Sequence, residues 1–259
     1  MSLTFFKTQK SRPIAKIIGG KLDNQILYVL PEEDEEIGIK NIELPQESIF
    51  QPIPDKTKER DCGFITGASG SGKSYFTKKY VKEYQNMYNK GKKDKDKRPI
   101  YLFSRIKEDE TLDSIKPLLR IKIGENLLNE PLGMEDFKNS LVIFDDTDII
   151  KNKLLREQVN HLRDEILQGG RHYNISSLIT NHNMVGKDLK CTLNESHFIT
   201  FFPANYNRQL KYLLSEYLGL EKDQIKKIRK SKSRWITVFK TFPQVILGER
   251  EAYLPKDSL

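Results

Sequence analysis

Gly67-Ala68-Ser69-Gly70-Ser71-Gly72-Lys73-Ser74 carries glycines, a lysine and a hydroxyl at every fixed position of the pattern GxxxxGK[ST]. The chemistry explains the spacing. Glycines allow a tight turn in which successive backbone N–H groups face inward, the arrangement that holds phosphate oxygens. Lys73 would add a point charge between the β- and γ-phosphates of ATP, and Ser74 would offer a hydroxyl to Mg²⁺. A helix starting near Lys73 adds the positive end of its dipole. The competing reading is a chance match in a flexible loop. Against it stand the apolar run 62–66 directly before the loop and a helical pattern directly after.

A second constellation concerns what happens to the nucleotide. Leu141-Val142-Ile143-Phe144 delivers Asp145 and Asp146 to the end of a buried strand, the edge at which ligands bind in parallel sheets. Asp145 matches a Walker B aspartate that holds Mg²⁺ through water. Asp146 then stands where a carboxylate can orient and deprotonate the attacking water. Capping of the following helix is the alternative use of such acids, and Asp148 is expected to serve as that cap. Asn181 ends the next strand, where it could hold the water and sense the γ-phosphate. His182 beside it reads as a surface or packing histidine. Arg171 precedes that strand, and in ring ATPases an arginine so placed can reach a neighbour's nucleotide; a surface arginine at a helix end is the plain alternative.

Elements must position these groups. From residue 62 the sequence alternates between short apolar runs (62–66, 100–103, 119–123, 141–144, 175–180 and 197–202) and amphipathic stretches (75–88 and 149–167). In 149–167, Leu154, Leu155, Val159, Leu162 and Ile166 recur at helical spacing, and Gly169-Gly170 ends the pattern. Alternation of this kind predicts an α/β fold with a mainly parallel sheet flanked by helices. The expected division is an N-terminal extension (1–58), a core (59–205) and a C-terminal extension of the same domain (206–259). The first would hold strands at 14–18 and 25–30 joined by a Gly19-Gly20 turn, an acidic stretch at 31–36, and a proline-bearing connector at 45–58. The last would hold a helix at 208–217, a basic stretch at 222–234 and a hairpin of 235–240 with 244–247.

The 259 residues carry a formal charge of +8, which suits a polyanionic partner without establishing one. Basic residues gather at 90–98 and 222–234, each a candidate for phosphate contacts or simply a solvated segment. No apolar run approaches the roughly 20 residues of a membrane span. The N-terminus lacks the pattern of a secretory signal, so an intracellular, soluble protein is expected. Cys62 and Cys191 have no zinc spacing and read as free thiols.

Taken together, GASGSGKS, LVIFDD and the run QGGRHYNISSLITNHN resemble the genome-packaging ATPases of large DNA viruses and their smaller relatives, within the FtsK–HerA class. The resemblance spans about residues 60 to 205. It implies a RecA-like core and a homo-oligomeric ring, pentameric or hexameric. It further implies translocation of double-stranded DNA into a capsid through contacts with capsid or portal-like vertex proteins, in the virion or the host cytoplasm. Nucleotide binding would fall on Lys73 and Ser74, metal binding on Asp145 and the catalytic carboxylate on Asp146. The class often has Gln where this chain has Asn181. A P-loop kinase phosphorylating a small molecule or nucleotide would usually carry an arginine-bearing lid, and no arginine-rich segment stands out in 100–170; a GTPase would need an NKxD motif, which the sequence lacks. A DNA-binding structural protein with a slow nucleotide switch is a further alternative.

Overall fold

The computed structural model describes residues 1–32 and 36–255; the centre of the acidic stretch, 33–35, lies outside them. By compactness the chain forms two units, one of residues 1–57 with 197–259 and the other of residues 58–196.

In the first unit, β1 (Ser2–Thr4), β2 (Arg12–Ile18), β3 (Ile26–Leu30), β4 (Asn41–Glu43) and β5 (Ile49–Pro52) precede the second unit in the chain. An antiparallel sheet runs in the order β1-β3-β2-β5. The turn after β2 depends on glycine: Gly19 has φ +84°, and a Cβ there would lie 2.5 Å from the backbone oxygen of Glu47. The stretch 45–58, expected to be only a connector, contains β5. Pro52 ends β5 at the edge of that sheet, where a missing N–H costs no ladder bond.

The second unit begins with β6 (Cys62–Thr66) and α1 (Lys73–Tyr88). It continues through β7 (Ile100–Ser104), α2 (Glu110–Asp113), β8 (Leu119–Ile121), α3 (Asn126–Asn129) and β9 (Leu141–Asp145), then α4 (Lys153–Gly169), β10 (Ser176–Asn181) and α5 (Lys190–Glu195). Its strands are ordered β6-β10-β9-β7-β8, and every pair is parallel. All residues of β6, β9 and β10 are buried, as expected where helices cover both faces of a parallel sheet. The expected α/β core with a mainly parallel sheet is therefore what the chain forms.

Helix α4 starts later than its apolar spacing predicts. Asn152 caps it by accepting from the N–H groups of Leu154 and Leu155 at 3.0 and 3.3 Å. Asp148 is not the cap; it lies in a 3₁₀ turn, Thr147–Ile149, and its Oδ2 accepts from Asn183 Nδ2 at 3.2 Å. Leu154, expected in the core stripe, is exposed, because Leu155 takes the inward position one helical step on. At the other end, the guanidinium of buried Arg60 donates to the carbonyl of Ile166 and, at 2.6 Å, to that of Leu167. Ile166 O also accepts from the Gly170 N–H, whereas Leu167 O is among the last carbonyls, which a helix C-terminus leaves to partners outside its own ladder.

The first unit resumes with β11 (Phe198–Phe201), α6 (Arg208–Tyr212), α7 (Lys222–Lys230), β12 (Ile236–Phe239), β13 (Val245–Gly248) and β14 (Glu251–Tyr253). The expected hairpin is β12 with β13. The expected helix at 208–217 divides into α6 and a π turn over Leu213–Tyr217. Strands β4, β14, β13, β12 and β11 pair antiparallel in that order. Among the described residues no helix is long and apolar enough to cross a membrane.

Candidate active site

The loop 67–72 connects the C-terminal end of β6 to α1, so the first turn of α1 faces the same sheet edge as the ends of β9 and β10. Gly70 (φ +73°) and Gly72 (φ +108°) adopt backbone angles that a side chain disfavours. The Gly67 N–H donates to the carbonyl of Asn181 at 3.3 Å, which ties the loop to β10. Lys73 opens α1 and is buried, 7% exposed. Its Nζ lies 2.9 Å from Gly67 O, 3.4 Å from Ala68 O and 3.2 Å from His182 Nδ1. Burial pushes the Lys73 pKa down, against the pull of Asp146, Asp145 and Asp148. Ser74 Oγ donates to Asp109 Oδ2 at 3.2 Å, while Asp109 Oδ1 caps α2 through Thr111 N and Leu112 N.

Strand register builds the acidic half. Asp145 ends β9 with Ser104 of β7 on one side and Thr180 of β10 on the other. Ser104 Oγ donates to Asp145 Oδ2 at 2.9 Å, and Thr180 Oγ1 donates to Oδ1 at 2.5 Å. Both carboxylate oxygens are therefore held by neutral hydroxyls. Asp146 leaves the strand in the left-handed region (φ 45°, ψ 42°), with its N–H on Thr180 O at 3.1 Å. Its Oδ2 lies 2.9 Å from His182 Nε2, and its Oδ1 is buried with no hydrogen-bond partner. Burial pushes the Asp146 carboxyl above its ordinary range; Asp145 and Asp148 add to the rise, and Lys73 and His182 oppose it.

Lys73, Ser74, Asp145 and Asp146 thus meet at one edge, as their spacing predicted. Asn181 reaches the same edge, but its Oδ1 accepts from the N–H of Asn183 at 2.9 Å, so its side chain shapes the turn. Arg171 does not join them. It is exposed in the 3₁₀ turn Gly170–Tyr173 before β10, at the opposite end of a parallel strand from the loop. Six residues of strand put it about 20 Å away. His182, read as a surface or packing histidine, instead bridges Lys73 and Asp146. Ser104, Asp109 and Thr180 were also missed. The Ser and Thr were discoverable, since aligning the parallel strands on their apolar runs puts both hydroxyls beside Asp145. The Asp109 contact has no local signal, because a loop far along the chain brings it.

No protein-family model matches the chain. It is 38% identical over 254 residues to the uncharacterized protein V3 of Sputnik virophage, covering 96% of this chain and 98% of that one. Among solved structures, it is similar to the genome packaging NTPase B204 of Sulfolobus turreted icosahedral virus 2 in complex with AMP. That match has a TM-score of 0.53 at 16% identity and covers 74% of this chain and 98% of that one. It is also similar to the pCW3 conjugation coupling protein TcpA with ATPγS, with a TM-score of 0.51 at 12% identity, over 92% of this chain and 77% of that one. At these identities the solved structures establish the fold, which is that of these NTPases.

Proposed function

The chain belongs to the family of the Sputnik virophage protein V3, and on that premise we propose that it is an ATPase that drives double-stranded DNA into a viral capsid. The observation that carries this reading is the meeting of Lys73, Ser74, Asp145 and Asp146 at one sheet edge, on a fold similar to a genome packaging NTPase. Residues 67–74 would bind ATP, with backbone N–H groups and Lys73 on the phosphates.

Ser74 and Asp145 are a hydroxyl and a carboxylate, the hard oxygen donors that suit Mg²⁺. Asp145 would act through water, since both its oxygens already accept from Ser104 and Thr180. A Mg²⁺ held there would supply neutralisation of phosphate charge. Asp146 would orient the attacking water through Oδ1, the buried oxygen with no partner, and its raised pKa suits it to take the proton. Arg171, distant from its own chain's loop, would reach the nucleotide of a neighbour in a ring, and capsid vertex proteins would dock that ring.

The test is ATP turnover with and without long double-stranded DNA, at low and high salt. Turnover should rise with DNA and fall with salt, and Lys73→Ala and Asp146→Asn should each lower it by about 100-fold or more. Turnover indifferent to DNA at every salt and protein concentration would overturn the motor reading. A rate rising faster than linearly with protein concentration is expected if Arg171 acts across subunits.

A further inference from the structure

The three donors of Lys73 are fully committed. An ammonium has three N–H bonds and no acceptor, and here they face Gly67 O, Ala68 O and His182 Nδ1. Because Lys73 can only donate, Nδ1 of His182 accepts. The imidazole proton then sits on Nε2, where it donates to Asp146 Oδ2 at 2.9 Å. One neutral ring therefore joins the phosphate-binding lysine to the buried acid, and it leaves Asp146 a single unpartnered oxygen, Oδ1.

The backbone on either side of this ring is framed. Asn181 Oδ1 accepts from Asn183 N at 2.9 Å, Thr66 Oγ1 donates to Asn183 O at 3.0 Å, and Asn183 Nδ2 donates to Asp148 Oδ2 at 3.2 Å. Asn181-His182-Asn183 is thus a mount that presents the imidazole, with its neighbours spent on holding it. A site held by supporting hydrogen bonds in this way is pre-organised for one geometry.

Resting on the nucleotide reading of the loop, the geometry points to His182 as a positioning residue: a latch between Lys73 and Asp146 that the terminal phosphates of ATP must open. To reach a phosphate, Lys73 has to give up at least one acceptor. The two carbonyls belong to the loop that wraps the phosphates, whereas Nδ1 belongs to a half-exposed ring that its Nε2–H keeps on Asp146 when the lysine leaves. Opening the latch moves Lys73 onto phosphate while the Nε2–H keeps Asp146 oriented with Oδ1 toward the incoming water. Nucleotide occupancy and the posture of the acid become one event. The same link holds the lysine back and so opposes binding.

The test separates binding from turnover. In His182→Ala the lysine is released early and the acid loses its guide. The affinity for a non-hydrolysable ATP analogue with Mg²⁺ should tighten by about fivefold, the equivalent of one ordinary hydrogen bond. In the same variant kcat should fall by about 10- to 100-fold. His182→Gln keeps one acceptor and one donor and should recover much of both, which a purely structural defect would not allow. The ring nitrogens of His182 are observable by NMR among only four histidines, and the Nδ1 signal should shift when the analogue is added to the wild type. An alanine variant that matches the wild type in both constants, or loses affinity and kcat together, overturns the latch. So does a glutamine variant no better than alanine, or an unmoved Nδ1 signal. A wild type that binds no analogue removes the nucleotide reading as well, which distinguishes the two failures.

Discussion

Asp146 is costly to the folded state at neutral pH. The residue is 5% exposed, one carboxylate oxygen has no partner, and its pKa is raised chiefly by burial. A raised carboxyl pKa means the folded state prefers the protonated form. Stability is then fully present below the unfolded carboxylate range and is lost as pH rises through the elevated folded value. Asp146→Asn is neutral at every pH, and Asn tolerates the positive φ at this position. The variant should therefore melt at a higher temperature than the wild type at pH 8, with the gap closing toward about pH 4. A melting temperature no higher at pH 8 would show that Lys73 and His182 fully compensate the buried charge. The same substitution is expected to stop turnover, so stability and function would pull in opposite directions at one residue.

At the scale of the element, α4 is held at both ends by groups outside its apolar stripe. Asn152 caps the start through two N–H groups, and Arg60 closes the end on the carbonyls of Ile166 and Leu167. Replacing a capping Asn by Ala typically costs about 1 kcal/mol. A charged, buried hydrogen-bonding group is worth about 1.5–3 kcal/mol for each bond, and removing it leaves Leu167 O without the guanidinium while Ile166 O keeps the Gly170 N–H. Arg60→Ala should thus destabilise the protein more than Asn152→Ala does, by about 2 kcal/mol or more, in urea unfolding. Equal losses would mean that water replaces the guanidinium at that helix end. The apolar spacing that revealed α4 could not reveal Arg60, which lies just before β6, about a hundred positions away in sequence.

On the scale of the whole molecule, part of the basic excess behind the charge of +8 lies in the stretch 222–234. Helix α7 buries Ile225 and Ile228 and exposes Lys222, Lys226, Lys227, Arg229 and Lys230, so the stretch is an amphipathic helix with a cationic outer face. If that face meets DNA phosphates, each lysine removed lowers the salt slope of binding by about 1. The double variant Lys226→Glu and Lys230→Glu should weaken binding of long double-stranded DNA most at low salt and flatten the dependence of affinity on salt. An unchanged slope would place the DNA contacts elsewhere, with the loop 90–98 the next segment to test. Turnover without DNA should be unaltered, because neither lysine belongs to the residues proposed to bind the nucleotide.

Local sequence was sufficient wherever the physics is local. The loop 67–74 is recognisable because phosphate binding needs glycines, a lysine and a hydroxyl at fixed spacing. The strand ending in Asp145 and Asp146 is recognisable because a fully buried strand must be apolar along its whole length. The parallel α/β core followed from the alternation of such runs with amphipathic helices. The start of α4 did not follow, since Asn152 and Asp148 are both good caps and only the path of the chain chose between them. Strand register decided that Ser104 and Thr180 would hold Asp145, and strand direction decided that Arg171 would lie at the far end of β10. The role of His182 was decided last of all. A histidine has no preferred partner in sequence, and its two nitrogens acquire meaning only when folding brings a lysine to one and a carboxylate to the other.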